Sequence, residues 1–191
     1  MSNSRNWFKS VPDERKRRLI ASQRNGVLIE RDGRKLINFA SNDYLGLTTH
    51  PDLCRAAIDE IEKHGLGSGA SRLISGDDPL LHRLESELAA WKGFEACLVV
   101  GSGMLANIGL LQALAGRYTH LFADRLNHAS LVDGARLSGA KFSRYDHLDY
   151  SGLESLLQKS EAEQRIVVSD GIFSMDGDGA NLAILTKLCE Q

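Results

Sequence analysis

From Pro79 to Trp91 the apolar side chains Leu80, Leu81, Leu84, Leu88 and Trp91 return every three or four residues, the repeat of one buried helix face. Upstream the repeat shortens. Between Gly26 and Phe39 two apolar runs flank Asp32-Gly33, a dipeptide that tolerates positive φ, and this predicts a β-hairpin. Pro51 suits the first turn of a helix running to about His64, and the charged stretch 11–22 is also compatible with a helix. Gly65 to Ser71 is a glycine-rich loop. Beyond Ala96 short apolar runs alternate with amphipathic ones. Strands are predicted at Ala96–Val100, Thr119–Ala123, Lys141–Tyr145 and Arg165–Ser169, with helices at Met104–Leu114, Ala129–Leu137, Ser151–Lys159 and Leu182–Glu190. Four strand–helix units in this order imply an α/β fold, a parallel sheet covered by helices. The division expected is an N-terminal helix and hairpin segment, 1–45, and a sheet-containing domain, 46–191.

Composition narrows the class. The 191 residues are 42% hydrophobic and 25% charged, enough apolar side chain to bury a core. A net charge of −2 gives no general attraction to nucleic acid. The local exception, Arg15-Lys16-Arg17-Arg18, is either a solvated helix end or an anchor for an anionic substrate. Cys54, Cys97 and Cys189 are far apart and form no C-x-x-C pair, which argues against disulfides or zinc and for a reducing cytoplasm. No stretch approaches ~18 uncharged apolar residues, so neither a signal peptide nor a membrane span is expected.

Three loops carry the candidate chemistry. In the first, Cys97 to Val100 runs into Gly101-Ser102-Gly103 and opens a helix at Met104. Such a turn lets the backbone approach a phosphate, with the first helical N–H groups aimed at it. It also serves as a plain strand-to-helix connection. Gly101-x-Gly103-x-x-Ala106 further matches a dinucleotide fingerprint, with Asp124 placed roughly 20 residues on, where a ribose-binding acid would stand. The second loop, Asp124 to Ser130, puts His128 at the carboxyl edge of the sheet, as a helix cap or as an imidazole able to stack on a flat ring. The third, Ser169 to Gly179, gathers Phe173, Ser174 and several acids at the same edge. Its Asp176-x-Asp178-Gly179 is not a calcium loop, because the twelfth position is Lys187. Loops after three strands converging on one edge make a candidate site.

Four motifs, Ser41 to Leu47, Gly67 to Gly76, Asp124 to Ser130 and Gly171 to Gly177, resemble those of the α-oxoamine synthases in order and spacing, over roughly residues 15 to 191. These are fold-type I enzymes dependent on pyridoxal 5'-phosphate (PLP), aspartate aminotransferase-like in architecture. They condense an amino acid with an acyl thioester and release CO₂. The resemblance implies that Gly103 and Met104 bind the PLP phosphate through backbone N–H groups. It implies that His128 stacks on the pyridine ring and touches the substrate carboxylate, and that Ser174 hydrogen-bonds the phenolic oxygen. It further implies substrate contacts by Arg15, with Arg17 or Arg18 as neighbours in register, and by Asn42 in its own or a partner subunit. Asn42-Asp43-Tyr44 and Asp124-Arg125-Leu126 look most like the branch that joins L-alanine to a pimeloyl thioester (of CoA or acyl-carrier protein) in biotin synthesis, working as a homodimer. The 2-amino-3-ketobutyrate CoA ligases, 5-aminolevulinate synthases and serine palmitoyltransferases share the His128 and Phe173-Ser174 motifs and stay open as alternatives.

PLP chemistry of this kind needs a Schiff-base lysine and an acid on the pyridine nitrogen. Nothing from Met175 to Gln191 resembles either motif, and Lys187 falls on the predicted last helix. The expectation is a chain inactive alone, as a truncated gene product, a fragment or half of a split enzyme, with an open sheet edge and exposed apolar surface that favour association.

Overall fold

The structure, a computed structural model, describes residues 12–16 and 19–190, leaving out the side chain of Arg15. The backbone groups into two compact units that meet in sequence at Asp77 and Asp78.

In the first unit three short strands, β1 (Gln23–Asn25), β2 (Leu28–Arg31) and β3 (Arg34–Ile37), form an antiparallel meander. Asp32 and Gly33 take φ of 51° and 70° at its tight turn, the primed geometry that suits the strand twist. Helix α1 (Pro51–His64) begins at the proline, and the His50 side chain caps it by accepting from the Asp52 N–H. The helix expected over 11–22 is not found. Its described residues hold one 3₁₀ turn, Asp13–Arg15, and no regular structure over 19–22. Leu19 and Ile20 are exposed, so among the described residues no burial here offsets the nucleation cost of a short helix.

The second unit starts with α2 (Pro79–Lys92), capped by Asp78, and α3 (Gly103–Leu114), capped by Ser102. Then β4 (Thr119–Asp124), α4 (Ala129–Leu137), β5 (Lys141–Tyr145), α5 (Tyr150–Gln158), β6 (Gln164–Val168) and α6 (Leu182–Cys189) follow. The three strands are parallel, in the order β5-β4-β6. The predicted strand Ala96–Val100 is a correction: it is extended but joins no ladder. The Val99 N–H donates instead to the Glu85 carboxylate at 2.8 Å. Apolar alternation produces an extended segment, but only a neighbouring strand makes it part of a sheet.

Central β4 is buried along its whole length. Its side chains divide by the two-residue period of a strand. Leu121 and Ala123 pack with Leu111, Ala115 and Ala135 of the α3–α4 layer. Phe122 packs on the other face with Tyr145, Leu153, Leu157 and Leu185. Full burial of each large apolar side chain contributes about 1.5–3 kcal/mol. The layers close because α4 carries Gly134 where it crosses α3. A Cβ there would stand 3.0 Å from the Asn107 carbonyl oxygen and 3.1 Å from the Ile108 Cα. This approach sets the N-termini of α3 and α4 side by side, at the carboxyl end of the sheet.

Candidate functional site

The connection from β4 leads to β5 on one side, while the chain returns from β5 past β4 to β6 on the other. The carboxyl ends of β4 and β6 therefore flank a crevice, the place where ligands gather in open α/β sheets. A cavity of about 260 Å³ lies there, lined by Gly103, Met104, Asn107, His128, Ser130, Asp170, Ile172 and Ser174. Thus Gly103 and Met104, His128 and Ser174 meet in one place, from the start of α3 and the loops after β4 and β6.

Each wall has a local cause. Ser102 Oγ accepts from the Leu105 N–H at 3.2 Å and so caps the start of α3. The helix leaves the N–H groups of Gly103 and Met104 without intrahelical acceptors, at the positive end of its dipole. An added Cβ on Gly103 would meet nothing within 4 Å. That open space at a bare helix N-terminus can admit a phosphate.

His128 is both cap and wall. Its Nδ1 accepts from the Ser130 N–H at 3.2 Å and lies 2.7 Å from Ser130 Oγ. Asn107 Nδ2 donates to that same oxygen at 2.8 Å, leaving the hydroxyl hydrogen for Nδ1. With Nδ1 an acceptor, the ring hydrogen sits on Nε2. Ser130 is 1% exposed, so the ring is oriented by a buried contact.

The two loops are also tied together. Asn127 donates its amide to the Val168 carbonyl at 2.8 Å and accepts from the Asp170 N–H at 3.1 Å. The His128 N–H donates to the Asp170 carboxylate at 2.6 Å. Ser174 lies in a hairpin loop closed by Phe173 N–H to the Asp178 carbonyl and Gly177 N–H to the Phe173 carbonyl, both at 2.8 Å. Sequence reasoning missed Asn107, Asn127, Ser130 and Asp170. Their signal was present in part, since all four lie within three residues of a named motif residue.

Asp124 does not stand free for a ribose. It is 1% exposed and accepts from the N–H groups of Leu126 and Leu148 while contacting His147 Nδ1 at 2.9 Å. The dinucleotide alternative therefore loses the acid it requires.

Asn42 belongs to the first unit, where it lines a cleft of about 460 Å³ with Arg24, Asp43, Tyr44 and others. Asp43 holds that loop by accepting from Thr48 Oγ1 at 2.5 Å, a bond that lowers its carboxyl pKa. The side chain of Arg15 lies outside the described residues, as do Arg17 and Arg18. Among the described residues no helix is long and apolar enough to cross a membrane.

Known proteins resemble this chain in sequence and in backbone fold. The chain is 51% identical over 179 residues to the 8-amino-7-oxononanoate synthase of Geotalea daltonii, covering 93% of this chain and 45% of that protein. It is 47% identical over 184 residues to the enzyme of that name from Trichlorobacter lovleyi, covering 96% and 47%. The chain thus spans about half the length of the curated relatives it matches. Among solved structures, a serine palmitoyltransferase of Sphingomonas wittichii superposes with a TM-score of 0.85 at 29% identity, over 90% of this chain and 44% of that one. The enzyme of S. paucimobilis, solved with bound PLP–myriocin aldimine, gives 0.85 at 27% identity with the same coverage. The 8-amino-7-oxononanoate synthase of Francisella tularensis gives 0.65 at 29%, over 78% and 41%. The architecture is that of the fold-type I, aminotransferase-like proteins. The profile described as "Aminotransferase class I and II" matches residues 34–191, and the chain belongs to that family.

Proposed function

We propose that this chain carries PLP-binding groups of an 8-amino-7-oxononanoate synthase, the acyltransferase that condenses L-alanine with a pimeloyl thioester in biotin synthesis. The observation that carries the reading is the cavity shared by Gly103, Met104, His128 and Ser174. The relatives near 50% identity supply the branch within the family.

The donor set fits a phosphorylated pyridine. A helix N-terminus and an open glycine suit the phosphate. An imidazole held by its Nδ1 suits the ring face, and a hydroxyl stands ready for the phenolic oxygen. When bound, PLP supplies an electron sink for a carbanion at the amino-acid α-carbon. The chain's own residues bind and orient. The N–H groups of Gly103 and Met104 bind the phosphate. His128 covers one face of the ring and offers its Nε2–H to the substrate carboxylate. Ser174 donates to the phenolic oxygen. Asn42 and a cation of the 15–18 run meet the acyl substrate, and a homodimer in the cytoplasm is the working form.

The test joins this chain to the part of the Geotalea daltonii enzyme beyond the match. Release of 8-amino-7-oxononanoate from L-alanine and pimeloyl-CoA, lost in His128→Ala, is expected. Preference for glycine over L-alanine would move the chain to another α-oxoamine synthase branch. Product formation undiminished in His128→Ala would remove the imidazole from the mechanism.

A further inference from the structure

His147 lies outside the cavity, two residues past the end of β5, yet both of its ring nitrogens are engaged. Nδ1 is 2.9 Å from Asp124 Oδ1, and Nε2 is 2.9 Å from Asp178 Oδ2. A neutral imidazole carries one N–H, so one of these contacts would set a nitrogen lone pair against a carboxylate oxygen. Two carboxylates at hydrogen-bond distance call for the doubly protonated ring, a donor on each side.

The two acids belong to different parts of the fold. Asp124 ends the buried central strand and is fixed by two backbone N–H groups. Asp178 belongs to the hairpin loop whose other limb carries Phe173 and Ser174. Phe173 is 1% exposed, and its ring meets the His147 ring edge to face, 4.5 Å between centroids. The imidazole thus grips the hairpin by a charge at Asp178, four residues after Ser174, and by a packed ring at Phe173, its immediate neighbour.

We propose that His147 is a positioning residue for this site: clamped between Asp124 and Asp178, it holds the 171–180 hairpin on the sheet edge and so sets where the Ser174 hydroxyl stands in the cavity. The clamp itself stands on the geometry above, while its service to a cofactor rests on the PLP reading. The Asp178 hydrogen bond, then that of Asp124, raises the His147 pKa above its ordinary value. Asp124 from β4 and Asp178 from the hairpin are the charged groups facing the ring. Tyr145, on β5, stays neutral because burial and the Asp124 charge push its pKa up to about 12. While both carboxylates are ionised, the clamp is therefore complete below the ordinary imidazole value of about 6.5 and opens as pH rises through the raised value.

The experiment is amide hydrogen exchange by NMR on the 191-residue chain, combined with affinity for pyridoxamine 5'-phosphate, which cannot form Schiff bases with surface lysines. Protection of the Phe173 and Gly177 amides is expected to fall with rising pH, and to fall about tenfold at pH 6 in His147→Gln. Phe122 and Ala123 of β4 should keep theirs. Asp178→Asn, with the imidazole intact, should move the pH profile downward. Ser174→Ala should weaken ligand binding in the wild type and add nothing in His147→Gln. Unchanged hairpin protection in His147→Gln, an unmoved profile in Asp178→Asn, or an equal Ser174→Ala effect in both backgrounds would each overturn the proposal. A wild-type chain that binds no ligand yet shows the protection pattern would overturn the cofactor reading and support the clamp.

Discussion

Two histidines of the second unit, His120 buried and His147 half-buried, work in opposite directions with pH, and each can be tested alone. His120 is 4% exposed, with its ring nitrogens 2.8 Å from Ser160 Oγ and Ser143 Oγ. Burial first, then the Lys141 charge, lowers its pKa. The unfolded chain binds a proton near pH 6.5 while the folded chain does not, so this contribution is present above about 6.5 and is lost as pH falls. His147 has the opposite sign, with its contribution complete below about 6.5 and lost as pH rises through its raised value. Urea unfolding at pH 7.5 and 5.5 is expected to show a smaller acid loss in His120→Gln than in the wild type. At the cavity wall, Ser130→Ala takes a partner from both Asn107 and His128. A stability loss of about 1 kcal/mol is expected, with a changed ¹⁵N shift at His128 Nδ1.

At the scale of elements, the crossing of α3 and α4 decides whether the two helix N-termini meet at the cavity. Gly134→Val adds atoms against the Asn107 carbonyl and Ile108 backbone, which cannot rotate away as a side chain would. A loss of about 1–3 kcal/mol is expected by thermal unfolding. Gly109, exposed on α3 with nothing within 4 Å of an added Cβ, is the control. Gly109→Ala should be neutral or should stabilise by up to about 1 kcal/mol. The elements most legible in the sequence were those with local punctuation. Pro51 and Pro79 open their helices, and the limits of α4 and β5 agree with the pattern. What escaped depends on partners distant in sequence. β1 is the polar run Gln23-Arg24-Asn25, which joins β2 through backbone bonds without any apolar alternation. Ala96–Val100 has the alternation but no ladder. The charged stretch before β1 has helix-forming residues, yet those of them that are described are exposed.

For the whole molecule, the cavity follows from strand order. Loops after β4 and β6 come together because β5 lies on the far side of β4, so His128 and Ser174 share a wall despite the 46 positions between them. The sequence placed these side chains at one sheet edge through their positions after strands. It could not reveal the small polar groups that hold them. Asn107 and Ser130 resemble ordinary helix residues until α3 and α4 touch, and His147 meets its acids only across 23 and 31 positions. The central claim is that the site at Gly103, Met104, His128 and Ser174 holds a phosphorylated pyridine. It is tested most directly by calorimetric titration of the chain and of Gly103→Val with pyridoxamine 5'-phosphate. The added side chain starts from open space, so Gly103→Val should unfold at the wild-type temperature. The expected result is saturable one-to-one binding by the wild type and at least tenfold weaker binding by the variant. Equal binding by both chains, or none by the wild type, would contradict it.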